Sequence, residues 1–410
     1  MDDRFSRLTN DLLIRILSFA PIEVAVTTSM LSKRWLSLWT MLPRLNFIDR
    51  VDGRPHILSS DFIFGTLLLN KSPVLESFHL ERDCECSASQ IELWVRFAVD
   101  RFVRDLSIAF NLDRCVVRFP SRLFRCETLE TLHLQNVILL KVPSWVSFQS
   151  LKTLRLVAVK YADEEVFLRL ISSSLVLKNL VVGSCEDENV KTFTINVPSL
   201  QSLTIWTNEE YYRLFVIHSH SLKELDIENE YGEVKFIGDM PELVKASVKT
   251  YESKGNVLKC LTFVKRLSLT HFGSKVQYHI GTIFSQLVCL DFRGFCNNWW
   301  DLLVNLLQHS PRLEILKFED DGEDELEDDK GCWIQPSCAP ECLYHLKTFE
   351  WRDYEGKPIQ KQVAVYILKN ASRLVTATLR FDPYMVSKKA FKELEYATRG
   401  SRACELTMMC

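Results

Sequence analysis

No stretch of the 410 residues approaches the roughly 18 uninterrupted apolar residues of a membrane-spanning helix, so no membrane partner is expected. The opening residues, MDDRFSRL, lack the basic flank of a secretory signal. Positive charge is not in excess: the formal net charge is −3, which gives no general attraction to nucleic acid or anionic lipid. The thirteen cysteines are scattered along a large chain. With small size and a secretory context both missing, they read as reduced, mostly buried thiols of a cytoplasmic or nuclear protein rather than a disulfide framework. Catalytic signatures are missing as well. There is no Gly-rich phosphate loop, no H-E-x-x-H and no G-x-S-x-G. A Cys-His site assembled in space is not legible from spacing. The expectation is a chain that is not an enzyme, with no catalytic residue, no metal and no cofactor.

What is present is apolar residue at 47%, charge at 25%, and an uneven distribution of that charge. The run EDDGEDELEDD (319–329) holds nine acidic side chains, so the rest of the chain carries a formal +6. Placing Gly322 at the invariant glycine of a calcium loop puts Lys317 at the first ligand position, which an EF-hand cannot use. A solvated loop is expected there. Cys332, Cys338, Cys342 and His345 have the spacing C-x5-C-x3-C-x2-H, which misses the C-x2–4-C pairs of common zinc sites. Cys84-x-Cys86 is weaker still.

One short pattern, apolar-x-x-apolar-x-apolar, returns thirteen times, from LESFHL at 75 through LETLHL at 129 and LKELDI at 222 to LVTATL at 374. Successive copies start 21 to 33 residues apart, close to the leucine-rich-repeat period of about 20–29 residues. In LETLHL, Leu132 and Leu134 are two apart and share one face of a strand, while Leu129 turns in from the approach. Stacking such units buries that face and builds a parallel sheet. The stretches 163–172 and 299–308 read as helices between strands, and 227–241 as irregular loop. An asparagine or cysteine often follows the hexamer by three positions; Cys185 and Asn208 fit, while Val137, Val159, Phe272 and Phe295 do not. Alternation also names the exposed side of the sheet, including His133, Arg155, Trp206, Glu224, Asp226, Arg266, Asp291 and Arg293. Such concave surfaces hold extended partners, so these residues are candidates for contact with a target protein; a solvated face is the alternative.

Residues 8–47 carry a denser pattern. Leu13, Ile16, Leu17 and Ala20 fall on one side of a helix that Pro21 ends. IEVAVTTSM follows as a short helix, and SKRWLSLWTML as a third, closed by Pro43. Of the 40 residues from Leu8 to Phe47, 22 are Ala, Val, Ile, Leu, Met, Phe or Trp. So small a unit cannot hide them all internally. Either the first repeat or a separate protein covers the excess.

The segment 5–47, with its leucine-rich start, MLSKRW and a second tryptophan, resembles an F-box. The resemblance implies a three-helix module that docks on the Skp-type adaptor, and through it a cullin, of a Skp–cullin–F-box ubiquitin ligase. Leu8, Leu12, Leu13, Ile16, Leu17, Trp35 and Trp39 match the motif's apolar positions. Where the family commonly has Leu-Pro, this chain has Leu8-Thr9; Thr can cap a helix where Pro starts one. From about 332 to 410, PECL (340–343), YEGK (354–357), YILKNA (366–371) and RGSRACEL (399–406) resemble the plant FBD domain. That segment also reads bottom-up as strand 347–352, helix 360–370, strand 374–381, helix 387–397 and strand 403–408. The whole is similar to the plant F-box/FBD/leucine-rich-repeat family. The expected α/β fold is an F-box over 1–50, a leucine-rich-repeat solenoid with a parallel sheet over 51–331, and an FBD cap over 332–410. The expected function is substrate recognition for a ubiquitin ligase, the alternative a leucine-rich scaffold whose N-terminal helices are only a cap.

Overall fold

The inward hexamer positions dictate the architecture. The computed structural model describes residues 7–51, 54–55, 58–83, 86–111, 114–184, 190–207, 212–229, 232–250, 257–271, 283–294, 299–320, 333, 335–336, 339–381 and 394–409. The chain forms two compact units, Met1–Leu200 and Gln201–Cys410. In the first, six parallel strands pair in chain order: β1 (Arg44–Ile48), β2 (Ser77–Arg82), β3 (Asp105–Phe110), β4 (Thr131–Gln135), β5 (Thr153–Val157) and β6 (Asn179–Ser184). In the second, nine follow the same rule: β7 (Ser202–Thr207), β8 (Glu224–Asn229), β9 (Lys245–Thr250), β10 (Arg266–His271), β11 (Cys289–Gly294), β12 (Ile315–Asp320), β13 (Thr348–Arg352), β14 (Thr376–Arg380) and β15 (Glu405–Met409).

All three apolar positions of each of the thirteen hexamers are buried, none above 3% exposed. Burying one such Leu, Ile or Phe contributes about 1.5–3 kcal/mol, repeated at every strand. The approach to each strand is fixed by a recurring backbone device. The two N–H groups after the first apolar residue both donate to one carbonyl of the preceding repeat: Glu130 and Thr131 to Arg104, Lys152 and Thr153 to Glu130, Val288 and Cys289 to Lys265. Glu76 and Ser77 do the same to Pro43, at 2.7 and 3.3 Å.

That last pair exposes a fourteenth copy. Leu42, Leu45 and Phe47 of LPRLNF are buried like the others, and β1 is the first strand in the sheet order. Pro43 stands where later repeats carry a donating N–H. A proline has none to give, and suits a strand with no earlier neighbour to receive it. The end of the F-box-like segment is therefore also the first strand of the sheet.

Helices cover the back. α3 (Ser60–Leu69) is capped by Ser59 Oγ accepting from Phe62 N–H at 3.1 Å, and α4 (Ala88–Val99) begins with a capping box between Ser87 and Gln90. α5 (Glu164–Ser172) starts at the Asp163 cap, and α7 (Trp299–Gln308) spans the stretch read from periodicity; between them lies the short α6 (Val257–Cys260). α8 (Pro358–Asn370) opens on Pro358, whose fixed φ suits a first helical position. The segment 227–241 is not wholly irregular: Glu233–Phe236 is a strand paired with Leu214–His218. Of the expected helix 387–397, residues 387–393 lie outside the described residues.

Candidate functional site

The N-terminal helical unit divides its apolar side chains between two sides. α1 (Asn10–Leu17) starts at Thr9, whose Oγ1 accepts from Leu12 N–H at 3.4 Å, so threonine caps the helix in place of a proline start. α2 (Ile22–Thr27) is followed by a 3-10 turn at Thr28–Met30. The expected third helix is instead two 3-10 turns, Trp35–Ser37 and Trp39–Met41, the tighter winding that suits short connecting pieces. Arg34 ties this segment to the start of α1, donating from Nε to Asn10 Oδ1 at 2.9 Å and from Nη2 to the Leu8 carbonyl.

Leu13, Leu17, Leu38 and Trp39 are buried in this unit. Of the seven residues that match the motif's apolar positions, whose division between core and adaptor the sequence leaves open, Leu13, Leu17 and Trp39 are buried in the interior of the unit. Leu8 and Trp35 are half-buried. Leu12 and Ile16, one turn apart on α1, are each 47% exposed. Phe19, Val24, Met30, Leu31 and Leu36 are also exposed, several beyond 60%. Sequence reasoning did not place these five among the adaptor candidates; their alternation with the buried set is the signal that could have done so.

On the open face of the first unit, Asn46, His79, Ser107, His133 and Arg155 form one row across β1 to β5. Ser107 Oγ and His133 Nδ1 are 3.0 Å apart, while His133 Nε2 is buried without a hydrogen-bond partner among the described residues. Burial pushes the His133 pKa down, and the charge of Arg155 adds to it. Arg155 is exposed.

On the open face of the second unit, Glu224, Asp226 and Arg266 are exposed and Trp206 is half-buried. Glu224, Lys245 and Arg266 are cross-strand neighbours. Asp291 and Arg293 are already engaged within the chain. Arg293 Nε lies 3.1 Å from Glu319 Oε2; Arg352 lies 3.3 Å from Asp291 and 3.5 Å from Glu319. Glu350 closes the network with Arg380 at 3.0 Å, Arg352 at 3.5 Å and Lys317 at 3.6 Å. Burial alone would raise the Glu350 pKa; Arg352, Lys317 and Arg380 together bring it below the usual carboxylate value.

Cys342 is buried in the 3-10 turn Glu341–Tyr344, and burial pushes its thiol up to about 12. Cys332 and Cys338 lie outside the described residues, as do Cys84, Cys185, Asn208, Phe272, Phe295 and residues 321–329 of the acidic run.

Comparison with known proteins finds three family models along the chain. The F-box domain model covers residues 5–47, the segment with the exposed helical side chains. The model described as FBD-associated F-box protein At5g56370, LRR repeats, covers 91–244. The FBD model covers 335–379, within the segment read as FBD-like. Among similar proteins of Arabidopsis thaliana, F-box/FBD/LRR-repeat protein At5g56420 is 40% identical, over 98% of each chain. F-box/FBD/LRR-repeat protein At4g00160 is 39% identical over 98% of this chain and 93% of its own. Putative FBD-associated F-box protein At3g50710 is 36% identical over 99% of this chain and 100% of its own. Sequence similarity thus extends over nearly the full length of this chain and of these relatives, and the chain belongs to the F-box/FBD/LRR-repeat family.

Proposed function

We propose that this protein is the substrate-recognition subunit of a Skp–cullin–F-box ubiquitin ligase. The observation that carries the reading is the uncovered apolar side of the helical unit. Leu12 and Ile16 on α1, with Met30, Leu31 and Leu36 beyond it, stand in solvent although the same unit's other side is packed. Exposed apolar helix faces of this kind mark docking sites, here for a Skp-type adaptor that in turn holds a cullin. Capping the sheet does not account for these residues, because Leu42, Leu45 and Phe47 already do that and leave the outward side bare.

The open sheet faces would hold the target, with His133 and Arg155 as contact candidates on the first unit and Trp206, Glu224, Asp226 and Arg266 on the second. Asp291 and Arg293 contribute less, being paired within the chain. In this role the protein supplies no reacting group. It holds the target's lysines near a ubiquitin-charged enzyme carried elsewhere in the complex, converting a bimolecular encounter into a local one. The test is co-purification of the full-length, folded protein with a Skp-type adaptor and a cullin. Failure of folded protein to bring down the adaptor refutes the proposal and favours a scaffold role.

A further inference from the structure

A cavity of about 380 Å³ opens on the first unit between the end of α1 and strands β1 to β3. Phe19, Arg44, Asn46, Glu76, His79 and Asp105 line it. Several donors here are already engaged. Arg44 Nε donates to Glu76 Oε2 at 2.9 Å and Ser18 Oγ donates to the Arg15 carbonyl at 2.7 Å, while His79 Nε2 lies 3.0 Å from Asp105 Oδ2 without a hydrogen bond among the described residues. Acceptors are in surplus. Asn46 Oδ1 is buried with no hydrogen-bond partner among the described residues, and the lining holds two carboxylates, Glu76 and Asp105, to one guanidinium, Arg44. A buried acceptor left unmade costs free energy that an occupant bringing a donor recovers.

Resting on the receptor reading above, we infer that this cavity receives an arginine side chain of the target polypeptide. The acceptors sit on or beside β1, β2 and β3, strands spaced roughly 4.8 Å apart. A guanidinium, with five N–H donors in a planar fork, meets acceptors spread over neighbouring strands better than a compact ammonium does. The ring of Phe19 forms an apolar wall that already has a guanidinium near it, with Arg44 Cζ 6.0 Å from its centroid. The row leading out of the cavity favours a polypeptide over a free small cation. Asn46, His79, Ser107 and His133 are register neighbours, and His79 Nε2 and His133 Nε2 are two further buried polar atoms without a hydrogen bond among the described residues, which a peptide group can supply.

The test is titration of the full chain with N-acetyl-arginine methylamide, followed by ligand-observed NMR. Its neutral isostere N-acetyl-citrulline methylamide, N-acetyl-glutamate methylamide and spermidine are run beside it. The arginine amide is expected to bind, and the citrulline amide about tenfold or more weakly, the loss of one charge-assisted set of hydrogen bonds. Asn46→Leu, or the more exposed Asp105→Asn should the first fail to fold, is expected to weaken arginine binding by a similar factor. Peptides selected from a random library on the full chain should carry arginine at a fixed position, and lose it on the variant. Equal binding of arginine and citrulline amides overturns the inference, as does preference for the acidic amide. Spermidine binding without arginine enrichment in the peptides overturns the polypeptide source. None of these readouts uses the adaptor, so failure of adaptor docking and failure of arginine binding are separately visible.

Discussion

Single side chains carry the most local tests. Asp49, just after β1, is fully buried; it accepts from the N–H groups of Leu58 and Asp83, each at 2.9 Å, and lies 3.2 Å from buried Arg82. Asp49→Ala strips Arg82 of this partner and leaves two N–H donors unmet, so urea denaturation of the full chain should show a loss of about 3–5 kcal/mol. A loss below 1 kcal/mol, on the scale of exposed pairs, would contradict this role. His133 makes a pH-dependent contribution. Desolvation first, then Arg155 and His79, lower its folded pKa below the ordinary 6.5. As pH falls below 6.5 the unfolded chain takes up a proton that the folded chain resists, so stability is full above that value and lost as pH drops through the lower folded pKa. His133→Gln should flatten the fall in thermal midpoint between about pH 7 and pH 5; an equally steep fall in the variant excludes His133 as its source. The buried ion pair was not legible in the sequence, because Asp49 and Arg82 belong to separate repeats and only the strand register joins them. The Thr9 cap was legible, since its side chain acts on a neighbour three residues on.

Strands were easier to read than what lies between them. Three apolar positions per hexamer are a local, repeated pattern, and in all thirteen copies they are buried, the first on the approach and the other two on the strand. The copy at Leu42 was hidden because its proline and its place at the end of the helical motif disguise it. α3 was hidden for another reason: SDFIFGTLLL is apolar nearly all round, so no face stands out by period. α4 could have been found from Ser87 and Gln90, a capping box in plain sight. α7 is held by a close approach. Trp299 packs 4.4 Å from Phe318 and 6.1 Å from Trp351, ring centre to ring centre, beneath β11 to β13. It comes so near β11 that a Cβ on Gly294 would stand 2.5 Å from the Trp299 Cβ. Gly294→Ala must therefore displace the helix or the strand, at about 1–3 kcal/mol. Thermal unfolding that matches wild type would show that the contact is slack.

For the chain as a whole, the order of its parts was readable, and the sides they present were not. Sequence reasoning gathered Leu8, Leu12, Leu13, Ile16, Leu17, Trp35 and Trp39 as one set of motif positions and left open which face the adaptor and which the core. The fold splits them, because α1 buries one side against its own core and offers the other. The same limit applied to the sheet, where Asp291 and Arg293 looked available until Arg352 and Glu319, from other repeats, were seen beside them. The account rests on that outward side of the helical unit, and it is tested most directly by the affinity of the full-length protein for a purified Skp-type adaptor. Wild type and Leu12→Glu/Ile16→Glu should have the same thermal midpoint, since both positions are solvent-facing. The double variant should bind the adaptor about a hundredfold or more weakly, because two charges replace apolar contacts at the centre of the interface. Unchanged affinity in the folded double variant would contradict the account.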